Sequence, residues 1–156
     1  MPLNFDARGL LPPGVHDATL DEVRDHFARF QRSDRRVTLF DKLRGYLAEL
    51  AKTGWACQVV IDGSFIMPAV DEPNDIDMIL VLPADWDMTR DLRPFEYNLV
   101  TNNYTKRTFK VEVFPVAEGS ARHRQFLDFF AQVRREWCQE FGWPEGTTKG
   151  LVRIVS

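Results

Sequence analysis

A chain of 156 residues, 44% hydrophobic and 28% charged, has the size of one domain and can bury a core of its own, which excludes the disordered and fibrous classes. Its formal net charge of -3 supplies no general basic field, so a nucleic-acid partner has to be held by a local patch. Cys57 and Cys138 stand far apart without paired spacing, which excludes a disulfide framework or a zinc knuckle. The opening MPLNFDARGL has no basic leader, and no run reaches about eighteen apolar residues, so a cytoplasmic protein with no membrane contact is expected.

Residues 1–17 carry Pro2, Gly9, Pro12, Pro13 and Gly14, too much punctuation for a regular element, and read as an extended arm anchored by Leu10, Leu11 and Val15. Thr19 stands three residues before Glu22, the spacing of a capping box, and opens a short helix carrying Val23, Phe27 and Phe30. From Ser33, a candidate N-cap, the stripe Val37, Phe40, Leu43, Leu47 and Leu50 predicts a second helix closed by Gly54. The β-rich runs CQVVID and DIDMILVL predict two neighbouring strands. Residues 84–105 read as a loop with a short helix around Phe95 to Val100. The alternation of Thr108 to Val116 predicts a third strand, with Lys110, Glu112 and Phe114 on one face. After Gly119 and Ser120 a helical period runs through Cys138, and LVRIV predicts a fourth strand. Together these elements predict an α/β (α+β) fold, a single domain with a small mixed sheet of about four to five strands flanked by helices.

The chemistry lies between the first two of those strands. Asp75 and Asp77 are two apart at a strand start, so both carboxylates project from one face and can converge on a cation. Glu112 on the third strand can bring another carboxylate. Hard divalent ions such as magnesium take carboxylate and phosphate oxygens together. Gly63 lets the backbone approach a phosphate closely, and Ser64 adds a hydroxyl and an N–H. Lys106, Arg107 and Lys110, near the third strand, can offset phosphate charge.

Gly63-Ser64, ten residues, then Asp75-Ile76-Asp77 resembles the signature of the DNA polymerase beta-type nucleotidyltransferase superfamily, above all its minimal bacterial members. The resemblance covers roughly residues 56–116. It implies a nucleotidyltransferase-like fold and two magnesium ions held by Asp75, Asp77 and the separate carboxylate Glu112. It also implies transfer of a nucleoside monophosphate, AMP favoured, from ATP or another nucleoside triphosphate to a hydroxyl. Outside that core, LLPPGVHDATLDE and KGLVRIV are similar to uncharacterised bacterial nucleotidyltransferase-like proteins. The motif spacing is also similar to that of antitoxin nucleotidyltransferases that adenylylate a ribonuclease toxin. A protein partner, such as a toxin, or an RNA is therefore the expected acceptor. A non-catalytic module of the same fold, binding a nucleotide or a partner, is the alternative, and a toxin that modifies tRNA ends is a third reading.

Plainer readings exist for the same residues. Asp75 and Asp77 can cap a turn after Pro73 and Asn74, and Glu112 can pair with Lys110 on its strand. His16, His26 and His123 lack metal-ligand spacing and read as surface or capping residues. Trp55, Trp86, Trp137 and Trp143 read as packing residues, with Trp86 a candidate for stacking on a base. The basic set Arg32, Arg35, Arg36, Lys42 and Arg44 reads as a solvated helix face, with contact to nucleic acid or a partner as the second reading.

Overall fold

The computed structural model describes residues 3–156. Five strands form one mixed sheet: β1 (Val15–Thr19), β2 (Gln58–Asp62), β3 (Ile76–Leu82), β4 (Val111–Ala117) and β5 (Leu151–Val155). Their order is β1-β5-β2-β3-β4. β1 with β5 and β3 with β4 are parallel, whereas β2 is antiparallel to both β3 and β5. Among the described residues six α-helices accompany the sheet: α1 (Leu20–Phe27), α2 (Arg35–Ala51), α3 (Pro94–Leu99), α4 (Asn102–Phe109), α5 (Ala121–Ala131) and α6 (Arg135–Phe141).

The capping box at Thr19 is present: its hydroxyl accepts from the Glu22 N–H at 3.2 Å, and the Glu22 carboxylate accepts from the Thr19 N–H at 3.0 Å. Such a cap is worth about 1 kcal/mol. The arm does not stay irregular to residue 17, because Val15–Thr19 finds a partner in β5 that lies far along the chain. Short-range pattern carries no trace of such a pairing.

Ser33 does not cap α2. The N-cap is Asp34, and the Ser33 hydroxyl instead accepts from the Arg35 N–H and donates to Glu72 at 2.9 Å, tying the helix entrance to a distant loop. Helix α2 ends at Ala51 and Gly54 lies beyond it, in a turn with φ 71°. Phe40, Leu43 and Leu50 are buried as predicted, Leu47 is half-buried and Val37 is exposed. Leu39, Tyr46 and Arg36 complete the inward face.

Between β3 and β4 the chain forms α3, Pro94–Leu99, and then α4, where the sequence reading placed loop and the start of a strand. A parallel pair needs a long crossover, and these two helices supply it. The third strand therefore begins at Val111 and not at Thr108, and Lys110 is the left-handed C-cap of α4 with φ 55°. The Tyr46 hydroxyl of α2 donates to the Leu99 carbonyl at 2.7 Å, fastening the crossover to the core. The helical period after Ser120 is also interrupted. Ser120 caps α5 by accepting from the His123 N–H, and Gln132–Arg134 leave the helix before α6 begins. There Val133 N–H donates to Thr147 O at 3.0 Å, and Gln132 bridges Thr148.

Every residue of β3 is buried, as befits an inner strand covered on both faces. The main core runs from Val23 and Phe27 across β2, β3 and β4 to Phe130. A smaller cluster of Leu10, Met67, Val70, Val133 and Cys138 lies beside it. Cys57 and Cys138 are free thiols. Among the described residues no helix is long and apolar enough to cross a membrane.

Candidate functional site

Strand register builds the site. Asp62 of β2 lies opposite Asp77 of β3, and Asp77 lies beside Glu112 of β4. Paired residues of adjacent strands share a face, so three carboxyl groups form a row across three strands, and Asp75 stands just before β3. One oxygen from each of Asp75, Asp77 and Glu112 lies within 4.8 Å of the others. The turn reading of the two aspartates is not where they sit: Asp77 is within β3, and the Ile76 N–H bonds the Lys110 carbonyl at 2.9 Å, which extends the ladder across the pair.

Burial and acidic neighbours raise the proton affinity of Asp62, Asp75 and Asp77. The Asp77 carboxyl is pushed up to about 7 by burial and by the charges of Asp75 and Glu112. Asp75 is raised by burial and by Glu112, with Lys106 opposing. Asp62 is raised well above the usual carboxylate range by burial and by Asp77, against the pull of Lys149. Among the described residues neither carboxyl oxygen of Asp62, which is fully buried, has a hydrogen-bond partner. A charged carboxylate without partners in the interior is costly, so burial favours the neutral form of Asp62.

Gly63 follows Asp62 with φ 81° and ψ -163°. A Cβ there would collide with the Asp77 carboxylate, so glycine is required both by the backbone angle and by the aspartate facing it. Ser64 opens a short 3-10 turn, Ser64–Ile66. The fully buried Arg36 holds this loop from beneath. Its guanidinium donates to the carbonyls of Phe27, Phe65, Met67 and Val70, with a longer bond to Ser64 O at 3.4 Å. Arg36 thus leaves the solvated basic face to which the sequence reading assigned it. An arginine on an inward stripe is accommodated because five carbonyls converge on its donors.

Gly63, Ser64, Asp75, Asp77, Lys106 and Glu112 all line one cleft of about 1080 Å³. Lys106 lies in α4, not in a strand, and its ammonium stands 3.9 Å from Glu112. Glu112 therefore faces Lys106 and the aspartates. Arg107 and Lys110 line an adjoining cavity with Asn74, Asp75, Asn102 and Asn103, so Asp75 is common to both spaces. The Asn102 side chain accepts from the Val113 N–H at 2.6 Å, which pins the start of α4 against β4.

Three further residues belong to the site. Lys149, nearly fully buried, donates to the Phe130 carbonyl at 2.7 Å. Burial lowers its ammonium to about 8, against the attraction of Asp62 and Asp77. Arg134, in the break between α5 and α6, lines the cleft beside Asp77. Asp62 is the third. In the sequence, Asp62 is the last residue of the predicted strand CQVVID with no partner in view, and Arg134 and Lys149 sit in polar stretches. Only strand register and the helix break bring them in. His16, His26 and His123 make local contacts: His16 with Pro12 O, His26 with the Phe5 ring, and His123 with Gly119 N–H. Trp86 packs edge-on against Trp55 with Arg90 over its face.

The donor set suits a hard divalent cation. It offers three carboxylates from two segments, a buried acidic neighbour with no hydrogen-bond partner among the described residues, and a glycine bend tight against Asp77. Magnesium binds through carboxylates and completes its shell with water and phosphate oxygens. Residues 3–155 match the family model described as "Family of unknown function (DUF6932)". No curated protein and no solved structure matches the chain.

Proposed function

The chain belongs to DUF6932, a family of unknown function, and we propose that it is a magnesium-dependent nucleotidyltransferase of the DNA polymerase beta type. It moves a nucleoside monophosphate, AMP favoured, from a nucleoside triphosphate to a hydroxyl of a protein or an RNA. A toxin partner is one acceptor consistent with the motif spacing. The observation that carries the reading is the convergence of Asp75, Asp77 and Glu112 within 4.8 Å beside the Gly63-Ser64 bend. The Gly63-Ser64, ten-residue, Asp75-Ile76-Asp77 pattern supports it independently.

A pair of magnesium ions held by the three carboxylates would neutralise the triphosphate and stabilise both the attacking and the leaving oxygen. The bend at Gly63 lets backbone N–H groups approach the phosphates, and Ser64 offers its hydroxyl. Lys106 adds positive charge beside Glu112. Glu112, at the edge of the row, orients the acceptor hydroxyl and takes its proton. The hydroxyl oxygen bonds to the α-phosphorus, the bond from that phosphorus to the bridging oxygen breaks, and pyrophosphate departs. Arg134 lies where it can balance charge at the α-phosphate.

Incubation of the full chain with labelled nucleoside triphosphate, magnesium and candidate protein or RNA acceptors tests this. Label is expected on an acceptor with the native chain and not with Asp77→Ala. Partner binding indifferent to replacement of both Asp75 and Asp77, with no label transferred, would instead establish a non-catalytic module.

A further inference from the structure

Past the carboxylates the cleft runs on into an aromatic recess. Glu112 and Phe114 are two apart on β4 and project from one face. The Phe114 ring meets Phe126 and Phe130 of α5 at centroid distances of 5.1 and 5.0 Å, and Phe129 stands edge-on to Phe130 at 5.1 Å. These rings, with Gln125 and Arg134, line a cavity of about 560 Å³ that Asp77 and Glu112 also line. Asp77, Glu112, Phe129, Phe130 and Arg134 border the main cleft as well. The two spaces therefore adjoin along these five residues, two of them the carboxylates. Phe129 is 60% exposed, so its ring adds little to the core and is open to a ligand.

We infer that this recess receives the nucleobase of the donor nucleotide, with Phe129 as a stacking wall and Gln125 as the amide that meets the base edge. The inference rests on the nucleotidyltransferase reading and adds a substrate subsite to it. A nucleoside triphosphate has a phosphate chain at one end and a flat aromatic ring at the other. Its α-phosphate has to lie at the carboxylates for transfer to occur. The outer phosphates then extend toward Gly63, Ser64 and Lys106, and the sugar and base leave on the other side. On that side the cleft continues as the phenylalanine-lined recess. Aromatic side chains stack on any base. A glutamine amide presents a donor and an acceptor together, which matches the adenine edge.

Calorimetry on the full chain, with magnesium ATP and magnesium tripolyphosphate as probes, separates base recognition from phosphate recognition. The native chain is expected to bind ATP about tenfold more tightly than tripolyphosphate, the size of one stacking contact. Phe129→Ala is expected to remove most of that advantage while leaving tripolyphosphate binding unchanged, and Phe129→Tyr to keep it. Gln125→Ala is expected to reduce the preference for ATP over CTP. An ATP advantage that survives both Phe129→Ala and Gln125→Ala overturns the inference. So does tripolyphosphate binding that depends on Asp75 but gains nothing from a base, a result that leaves the proposed phosphate and cation site standing. Failure of the native chain to bind either compound overturns both readings.

Discussion

Asp77 is the residue on which the site's charge balance turns. Its carboxyl titrates near 7 in the folded chain, against an ordinary value of 3.8, because burial and two acidic neighbours disfavour its charge. Between about pH 4 and 7 the folded chain then holds more protons than the unfolded chain, so stability falls as pH rises through that window. Lys149 acts on the other side. Its ammonium is lowered to about 8 from 10.5, so the unfolded chain holds more protons above pH 8 and stability recovers toward 10.5. Melting temperatures without divalent cations are expected to fall between about pH 4 and 7, and Asp77→Asn to flatten that fall. Removing one carboxylate of the triad is expected to lower nucleotide transfer about a hundredfold or more, read as initial rate with Asp75→Asn or Asp77→Asn. The glycine beside this aspartate is equally constrained. Gly63→Ala is expected to abolish transfer, because the added methyl and the Asp77 carboxylate claim the same space. Most of this acidic set was legible in the sequence, since Gly63, Ser64, Asp75 and Asp77 form one spaced pattern and Glu112 alternates with valines. Asp62, Arg134 and Lys149 were not legible. Their roles come from register and from a helix break, which local spacing does not encode.

At the scale of elements, the helices were read best where a cap and an apolar stripe agree, as at Thr19, or where the stripe is long, as along α2. They were missed where the stripe is short and polar, as in α4. The Lys106-Arg107 segment carries few apolar residues, and tertiary packing through Tyr46, Phe109 and the Asn102 bond to β4 holds it as a helix. Arg36 shows a second limit of local reading. Beside Arg32 and Arg35 it looks like part of a charged surface, yet it is the peg on which the Ser64 to Val70 loop hangs. Replacing it by methionine keeps the stem and deletes the donors. Arg36→Met is expected to destabilise the fold by about 3–5 kcal/mol in denaturant unfolding, because several buried carbonyls lose their partners at once. Arg35→Met, whose guanidinium bonds the exposed rim at Pro73 and Asn74, is expected to cost less than about 1 kcal/mol.

For the molecule as a whole, the mixed sheet between helices agrees with the expectation from the order of elements, with one strand more than the four placed by pattern. That fold concentrates Asp62, Asp75, Asp77 and Glu112 at one end of its three neighbouring strands, so the proposed cation binding would be linked to global stability. Magnesium at about a hundred times its dissociation constant is expected to stabilise the native chain by about 2.7 kcal/mol. The shift in melting temperature should be larger at pH 8 than at pH 6, where Asp77 retains its proton, and should vanish in a chain carrying both Asp75→Asn and Asp77→Asn. The pairing of β1 with β5 has a different consequence. It joins stretches separated by 136 positions at Asp17 and Arg153, whereas β2, β3 and β4 pair over much shorter loops. Short loops close at lower entropic cost, so during folding the acidic row is expected to assemble before β5 docks and brings Lys149 behind it. An early intermediate of this chain would then be an anion-rich half-sheet, and ions in the medium should accelerate its completion.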